Sequence, residues 1–150
     1  MPCERFALPT RYNGPSFCAS AGNHAQGVAF VCRHFGVEGT VFMPVTTPRQ
    51  RIDKTRAFGG GAAQIILVGD DFVQTLSAAQ DHCAKLGAYF LSPFDDPEMI
   101  EGQACVAVEI MEQLGAAPDF VVLPVGHGGL ASGVTGYQRA LRCPPSPTTL

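Results

Sequence analysis

Residues 17–43, FCASAGNHAQGVAFVCRHFGVEGTVFM, decide the fold. Phe17–Ser20 is a short β-rich run. Asn23 to Phe35 carries Ala25, Val28, Ala29 and Cys32 at helical spacing, and Gly36 stands where a helix stops. Thr40–Met43 is apolar and β-rich again. A strand, a helix and a strand in so short a span make one βαβ unit, which joins parallel strands.

The alternation continues outward. Pro48 opens a helix to about Phe58, closed by Gly59-Gly60-Gly61, and Gln64–Val68 is a strand rich in Ile, Leu and Val. Asp70 and Asp71 sit at an N-cap and first-turn position before a helix to Leu86 and Gly87. Tyr89–Leu91 is a short strand. Asp96-Pro97-Glu98 starts a helix with cap, proline and acid in order, and that helix is expected to run to Leu114 with Gly115 behind it. Asp119–Leu123 reads as a buried strand, and a last helix runs from the glycines after Val125 to about Arg142. The expected class is α/β, an open parallel twisted sheet with helices on both faces.

Composition excludes several functions. The chain has 150 residues, enough for one ordinary domain with a core of its own. Its hydrophobic share of 46% is too high for disorder. It contains no apolar run of transmembrane length, and its start lacks the apolar stretch of a signal peptide, so a cytoplasmic protein without membrane contact is expected. Net charge is −3, and the basic cluster Arg49, Arg51, Lys54 and Arg56 is interrupted by Asp53, which gives nucleic-acid binding little support. Charged residues are 15%, against about 25% in a typical domain.

Cys3, Cys18, Cys32, Cys83, Cys105 and Cys143 show no C-x-x-C pair and have mostly apolar neighbours, as free buried thiols do. A zinc site from Cys32, His34, His82 and Cys83 lacks paired-ligand spacing, and no metal is expected. His34 and His82 read as packed or solvated helix residues, Glu109 and Glu112 as an exposed face, and Lys85 as a cation near a helix C-terminus.

Two glycine turns remain. In an open α/β sheet, ligands bind beyond the carboxyl ends of the strands. Ser20-Ala21-Gly22-Asn23-His24-Ala25-Gln26-Gly27 leaves a strand and opens a helix, whose free N–H groups can hold a carboxylate or phosphate. The same residues also read as an ordinary βα turn capped by Asn23. Gly126-His127-Gly128-Gly129-Leu130 removes side chains where backbone amides could wrap a phosphate. It also reads as a packing turn, or through Ala131 as a loose G-x-G-x-x-A dinucleotide fingerprint. No acidic residue follows Asp119 to test the fingerprint.

The eight residues from Ser20 to Gly27 resemble the signature loop of threonine dehydratase (threonine ammonia-lyase), a pyridoxal-phosphate enzyme of fold type II. The resemblance continues through Val41–Pro48, Pro93–Asp96, Glu101–Gln103 and Gly126–Leu130, covering about residues 14 to 142. It implies that Asn23 bonds the cofactor's ring hydroxyl. The backbone amides of Ser20, Ala21, Gly22, Asn23 and His24 would hold the substrate carboxylate, and Gly126, His127, Gly128, Gly129 and Leu130 would cradle the cofactor phosphate. It further implies small-domain βαβ units over 16–95 and the start of a large domain over 96–142. The Pro-bearing segment 1–15 stays unassigned, and 143–150 is a Pro-rich tail.

Two departures stand out. The family's second loop is all glycine before its Leu; His127 is tolerated if its φ is negative and otherwise weakens phosphate binding. The family's Schiff-base lysine lies in a Ser-Phe-Lys segment some twenty-five or more residues before the signature loop. Here nineteen residues precede Ser20 and none is Lys, while Lys54 and Lys85 match no catalytic position. The expected catalytic set is therefore empty, and the chain reads as an internal piece of such an enzyme, inactive alone. The parent would be an ammonia-lyase of isoleucine biosynthesis, a homo-oligomer using pyridoxal 5′-phosphate on L-threonine or L-serine. A serine racemase-like fragment and a non-catalytic phosphate-ligand module are the alternatives.

Overall fold

The computed structural model describes residues 14–142. They divide into two compact units, one ending at Pro93 and one beginning at Phe94. The tail 143–150 and nearly all of segment 1–15 lie outside the described residues.

The first unit is built from β1 (Ser16–Ala19), α1 (Asn23–Phe35), β2 (Gly39–Met43), α2 (Arg49–Gly59), β3 (Ala63–Leu67), α3 (Phe72–Leu86) and β4 (Tyr89–Phe90). The strands form one sheet in the order β3-β2-β1-β4, every pairing parallel. Cys18 lies opposite Val41, and Val41 opposite Ile65. Alternation sends successive residues to opposite faces. On one face Cys18, Val41 and Met43 pack with Ala25, Val28 and Cys32 of α1 and Ile52 of α2. On the other, Phe17, Ala19 and Phe42 pack with Ala79 and Cys83 of α3. Helices thus cover both faces, as expected. Close packing sets residue size: a Cβ on Gly39 would collide with Cys32 Sγ.

The helix ends follow local chemistry. α1 stops at Gly36, whose φ of 66° is left-handed and whose N–H reaches Cys32 O. Asp71, not Asp70, caps α3 by accepting from Gln74 N at 2.9 Å, and the first turn holds no acid. Thr75, fully buried, has its Oγ1 2.6 Å from Val68 O and 2.8 Å from Asp71 O, tying α3 to the loop after β3. His82 packs against the rings of Phe17 and Phe42, with centroids 5.4 and 5.5 Å away.

The second unit holds α4 (Pro97–Gln103), α5 (Cys105–Leu114) and α6 (Gly129–Arg142). Asp96 caps α4 as read from the sequence, accepting from Glu98 N at 2.9 Å. The single helix expected to Leu114 is broken at Ala104, which caps one helix and opens the next. α6 presses closely on α4: a Cβ on Gly133 would strike Ile100 O, and Val134 beside it is fully buried.

The strand expected at Asp119–Leu123 is absent. No strand lies beside these residues among those described, so they form no ladder. Phe120, Val122 and Val125 are 89%, 95% and 71% exposed. These side chains add to the apolar surface left open to water.

Thr75→Val keeps the volume and strips Val68 O of its hydroxyl donor. It should cost about 1–3 kcal/mol of stability, read as a shifted midpoint in urea unfolding.

Candidate functional site

β1 lies between β2 and β4, so the connection from β1 crosses to one side while β4 closes the other. The crevice of an open α/β sheet falls at such a switch point. The residues there are Ser20–His24.

Their backbone is already partly committed. Ser20 N donates to Phe42 O at 3.0 Å, which extends the sheet ladder and removes that amide from ligand binding. Gly22 N donates to Ser20 Oγ at 3.1 Å. Gly22, and not Asn23, is the cap residue; Asn23 is the first residue of α1, and its exposed side-chain amide has no partner among the described residues. The first bond into α1 runs from Gln26 N to Gly22 O at 3.3 Å. The N–H groups of Ala21, Asn23, His24 and Ala25 meet no acceptor among the described residues. Several free donors at the positive end of a 13-residue helix suit a carboxylate or phosphate.

His24 ties the turn to the residue after β4: its Nε2 lies 3.1 Å from Leu91 O, which assigns the proton to Nε2. Burial lowers its pKa below the ordinary 6.5, partly opposed by that carbonyl. The ring is therefore neutral at pH 7.

Beside the turn an open cavity of about 430 Å³ is lined by Gly22, Asn23 and Gln26 and, from α2, by Gln50, Arg51 and Lys54. Asp53 pairs with Arg49 at 3.6 Å and Arg56 at 3.5 Å. Arg51 and Lys54 have no carboxylate partner among the described residues. Arg51 Nη1 instead donates to Ala21 O at 3.2 Å. In the sequence the four cations form one basic cluster interrupted by Asp53, and charge alone does not reveal this division. A signal existed: α2 opens with Arg49 and Arg51 and has no acid in its first turn, against the preference of the helix dipole.

The second turn belongs to the second unit. Gly128 has φ +94°, and no described residue other than glycine has positive φ, so His127 meets the condition for carrying a side chain. Its ring stacks on Phe94, centroids 4.0 Å apart and planes at 34°. A Cβ on Gly126 or Gly128 would meet nothing within 4 Å, so the turn faces open space. Ser132 N to Gly128 O, 2.8 Å, is the first bond into α6, and the N–H groups of Gly129, Leu130 and Ala131 meet no acceptor among the described residues. A glycine-rich turn with unspent donors at the head of a 14-residue helix fits a phosphate group. The dinucleotide fingerprint needs a strand just before the turn, and none is present.

The zinc candidates are separated: Cys32 lies in the core on one face of the sheet and Cys83 in that on the other. Cys18, Cys32 and Cys83 are free and buried. Burial raises all three thiols, that of Cys83 to about 11. No helix among the described residues is long and apolar enough to cross a membrane.

Fold and turns define a class. The pyridoxal-phosphate dependent enzyme family matches residues 10–146, and the chain belongs to that family. Within it, the chain is 49% identical over 122 residues to the biosynthetic L-threonine dehydratase of Bacillus subtilis, covering 81% of this chain and 29% of that one. The processed threonine deaminase isoform 2 of Solanum lycopersicum superimposes with TM-score 0.74 at 37% identity, over 85% of this chain and 36% of its own. Maize serine racemase gives TM-score 0.75 at 25% identity, over 84% and 37%. The chain thus spans about three-tenths of the length of the curated relative.

A histidine held neutral by the fold makes stability depend on pH with a definite sign. The unfolded chain takes up the proton first, near 6.5. Stability from His24 is therefore complete above that pH and lost as pH falls toward the lower folded value. Urea midpoints should decline below about pH 6.5 in the parent chain, and less steeply in His24→Gln; parallel profiles would show that His24 is not the group responsible.

Proposed function

We propose that this chain carries the cofactor- and substrate-anchoring segment of a threonine dehydratase-like lyase, which converts L-threonine to 2-oxobutanoate and ammonia, the water lost by β-elimination being regained on hydrolysis. The observation that carries this reading is the pair of glycine turns, each opening a long helix with unspent N–H groups. When bound, pyridoxal phosphate supplies an electron sink for charge at the substrate's α-carbon.

The chain's own residues bind and orient. Gly126–Leu130 hold the phosphate through backbone donors. The free side-chain amide of Asn23 bonds the ring hydroxyl. The N–H groups of Ala21, Asn23 and His24 hold the substrate carboxylate, and Ser20 contributes through its hydroxyl on Gly22 N rather than through its own amide. His24 stays neutral and anchors the start of α1 to Leu91. L-serine, with the same carboxylate and β-hydroxyl, belongs to the same substrate class. Assembly into a homo-oligomer and a cytoplasmic setting are part of the same proposal.

The two lysines of the sequence, Lys54 and Lys85, match no catalytic position of the family. That favours a second reading for the chain on its own: a module that holds the phosphate ligand without turning substrate over. Added pyridoxal phosphate should shift the amides of Gly128, Gly129 and Leu130 in an NMR titration, and inorganic phosphate should compete. Borohydride treatment should leave no stoichiometric covalent adduct, and L-threonine should yield no 2-oxobutanoate. A stoichiometric adduct on Lys54 or measurable 2-oxobutanoate would restore full catalysis to the chain. Silence of the three amides would remove the phosphate turn.

A further inference from the structure

We propose that Arg51 of α2 is a positioning residue for the Ser20–Asn23 turn, holding the Ala21–Gly22 peptide so that the N–H groups around it stay presented to a carboxylate. This rests on the reading of that turn given above.

The peptide unit between Ala21 and Gly22 is held at both ends. It has two polar ends, the Ala21 carbonyl and the Gly22 N–H, and each is held by a different side chain. Ser20 Oγ accepts from Gly22 N at 3.1 Å, and Arg51 Nη1 donates to Ala21 O at 3.2 Å. Gly22 has no side chain to brace the peptide, and the space a Cβ would fill there is open. Glycine also rotates more freely than any other residue. The orientation of this peptide is therefore set by its two hydrogen bonds, and a flip would break both. The unspent N–H groups of Ala21 and Asn23 lie on either side of it.

The placement of Arg51 points the same way. It stands in the first turn of α2, where a cation opposes the helix dipole. Asp53 is taken by Arg49 and Arg56, on a different side of the helix. The only hydrogen bond of the Arg51 guanidinium among the described residues is the one to Ala21 O, across thirty positions of sequence. A residue that breaks a local rule and makes one long-range contact to a ligand-binding turn is placed for that contact.

Lys54 supplies the matched control. It lines the same cavity and carries the same charge, but it bonds nothing in the turn. Charge attraction alone would make the two cations equivalent; positioning makes Arg51 special.

The test uses the 150-residue chain and its variants Arg51→Met, Arg51→Lys and Lys54→Met. Without ligand, hydrogen exchange at the Gly22 amide should quicken about tenfold in Arg51→Met and stay unchanged in Lys54→Met, while sheet amides such as Val41 remain protected in both. In titrations with L-threonine, followed at the Ala21, Asn23 and His24 amides, Arg51→Met should weaken binding fivefold or more and Lys54→Met less than twofold. Arg51→Lys should recover part of both losses, and L-threoninol, which lacks the carboxylate, should move none of these amides. Unchanged Gly22 exchange in Arg51→Met, or equal loss of affinity in the two methionine variants, would overturn the proposal. If the parent chain shows no carboxylate-dependent shifts, the carboxylate reading of the turn fails, and the exchange result still decides whether Arg51 holds the peptide.

Discussion

The hydrogen bonding of β1 on both edges, to β2 on one side and β4 on the other, is the constraint from which the rest follows. β1 is paired along its whole length with β2 and at Ser16 and Phe17 with β4, and its side chains alternate between two buried faces. Cys18 faces one helix layer; Phe17 and Ala19 face the other. Once Ser20 N has gone to Phe42 O, only Ala21 and Gly22 remain before α1 begins. So short a turn cannot satisfy the donors at the head of the helix from within. The unspent amides at Ala21, Asn23 and His24 are a consequence of the sheet's geometry before they are a feature of any site.

Much of this was legible because it depends on local periodicity. Ala25, Val28, Ala29 and Cys32 at helical spacing gave α1 with its observed ends, and the same four residues are its buried face. The strands differ from expectation by about one residue at their ends, since apolar character does not mark where pairing begins. The stretch 119–123 shows the limit of that reasoning. Its apolar run matches a buried strand, but a strand exists only where another backbone completes its ladder, and an apolar run by itself does not reveal whether one is present. Phe120 and Val122 face water instead.

The site was legible in its glycines and not in its side-chain contacts. Gly22 and Gly128 announce turns because their positions in the pattern require them. That Ser20's amide would be spent on the sheet, or that Arg51 would reach Ala21 O, depends on elements distant in sequence meeting in space. Charge counting hid the second point further. Four cations and one carboxylate look like a diffuse basic patch until helical geometry divides them: Asp53 takes its neighbours at i−4 and i+3, and Arg51 and Lys54 are left toward the cavity.

His127 shows how a departure from an expected pattern can be absorbed. A turn of this kind asks for positive φ at some of its positions, and only there does glycine matter. Gly128 bears that demand, with φ +94°, and His127 does not. The side chain then needs somewhere to lie, and Phe94, just ahead of α4, provides an aromatic surface 4.0 Å from its ring. The stack gives the turn a contact that a glycine at position 127 would lack. The substitution therefore exchanges backbone freedom that the turn does not use for an anchor within its own unit, while the donors of Gly129 and Leu130 remain unspent.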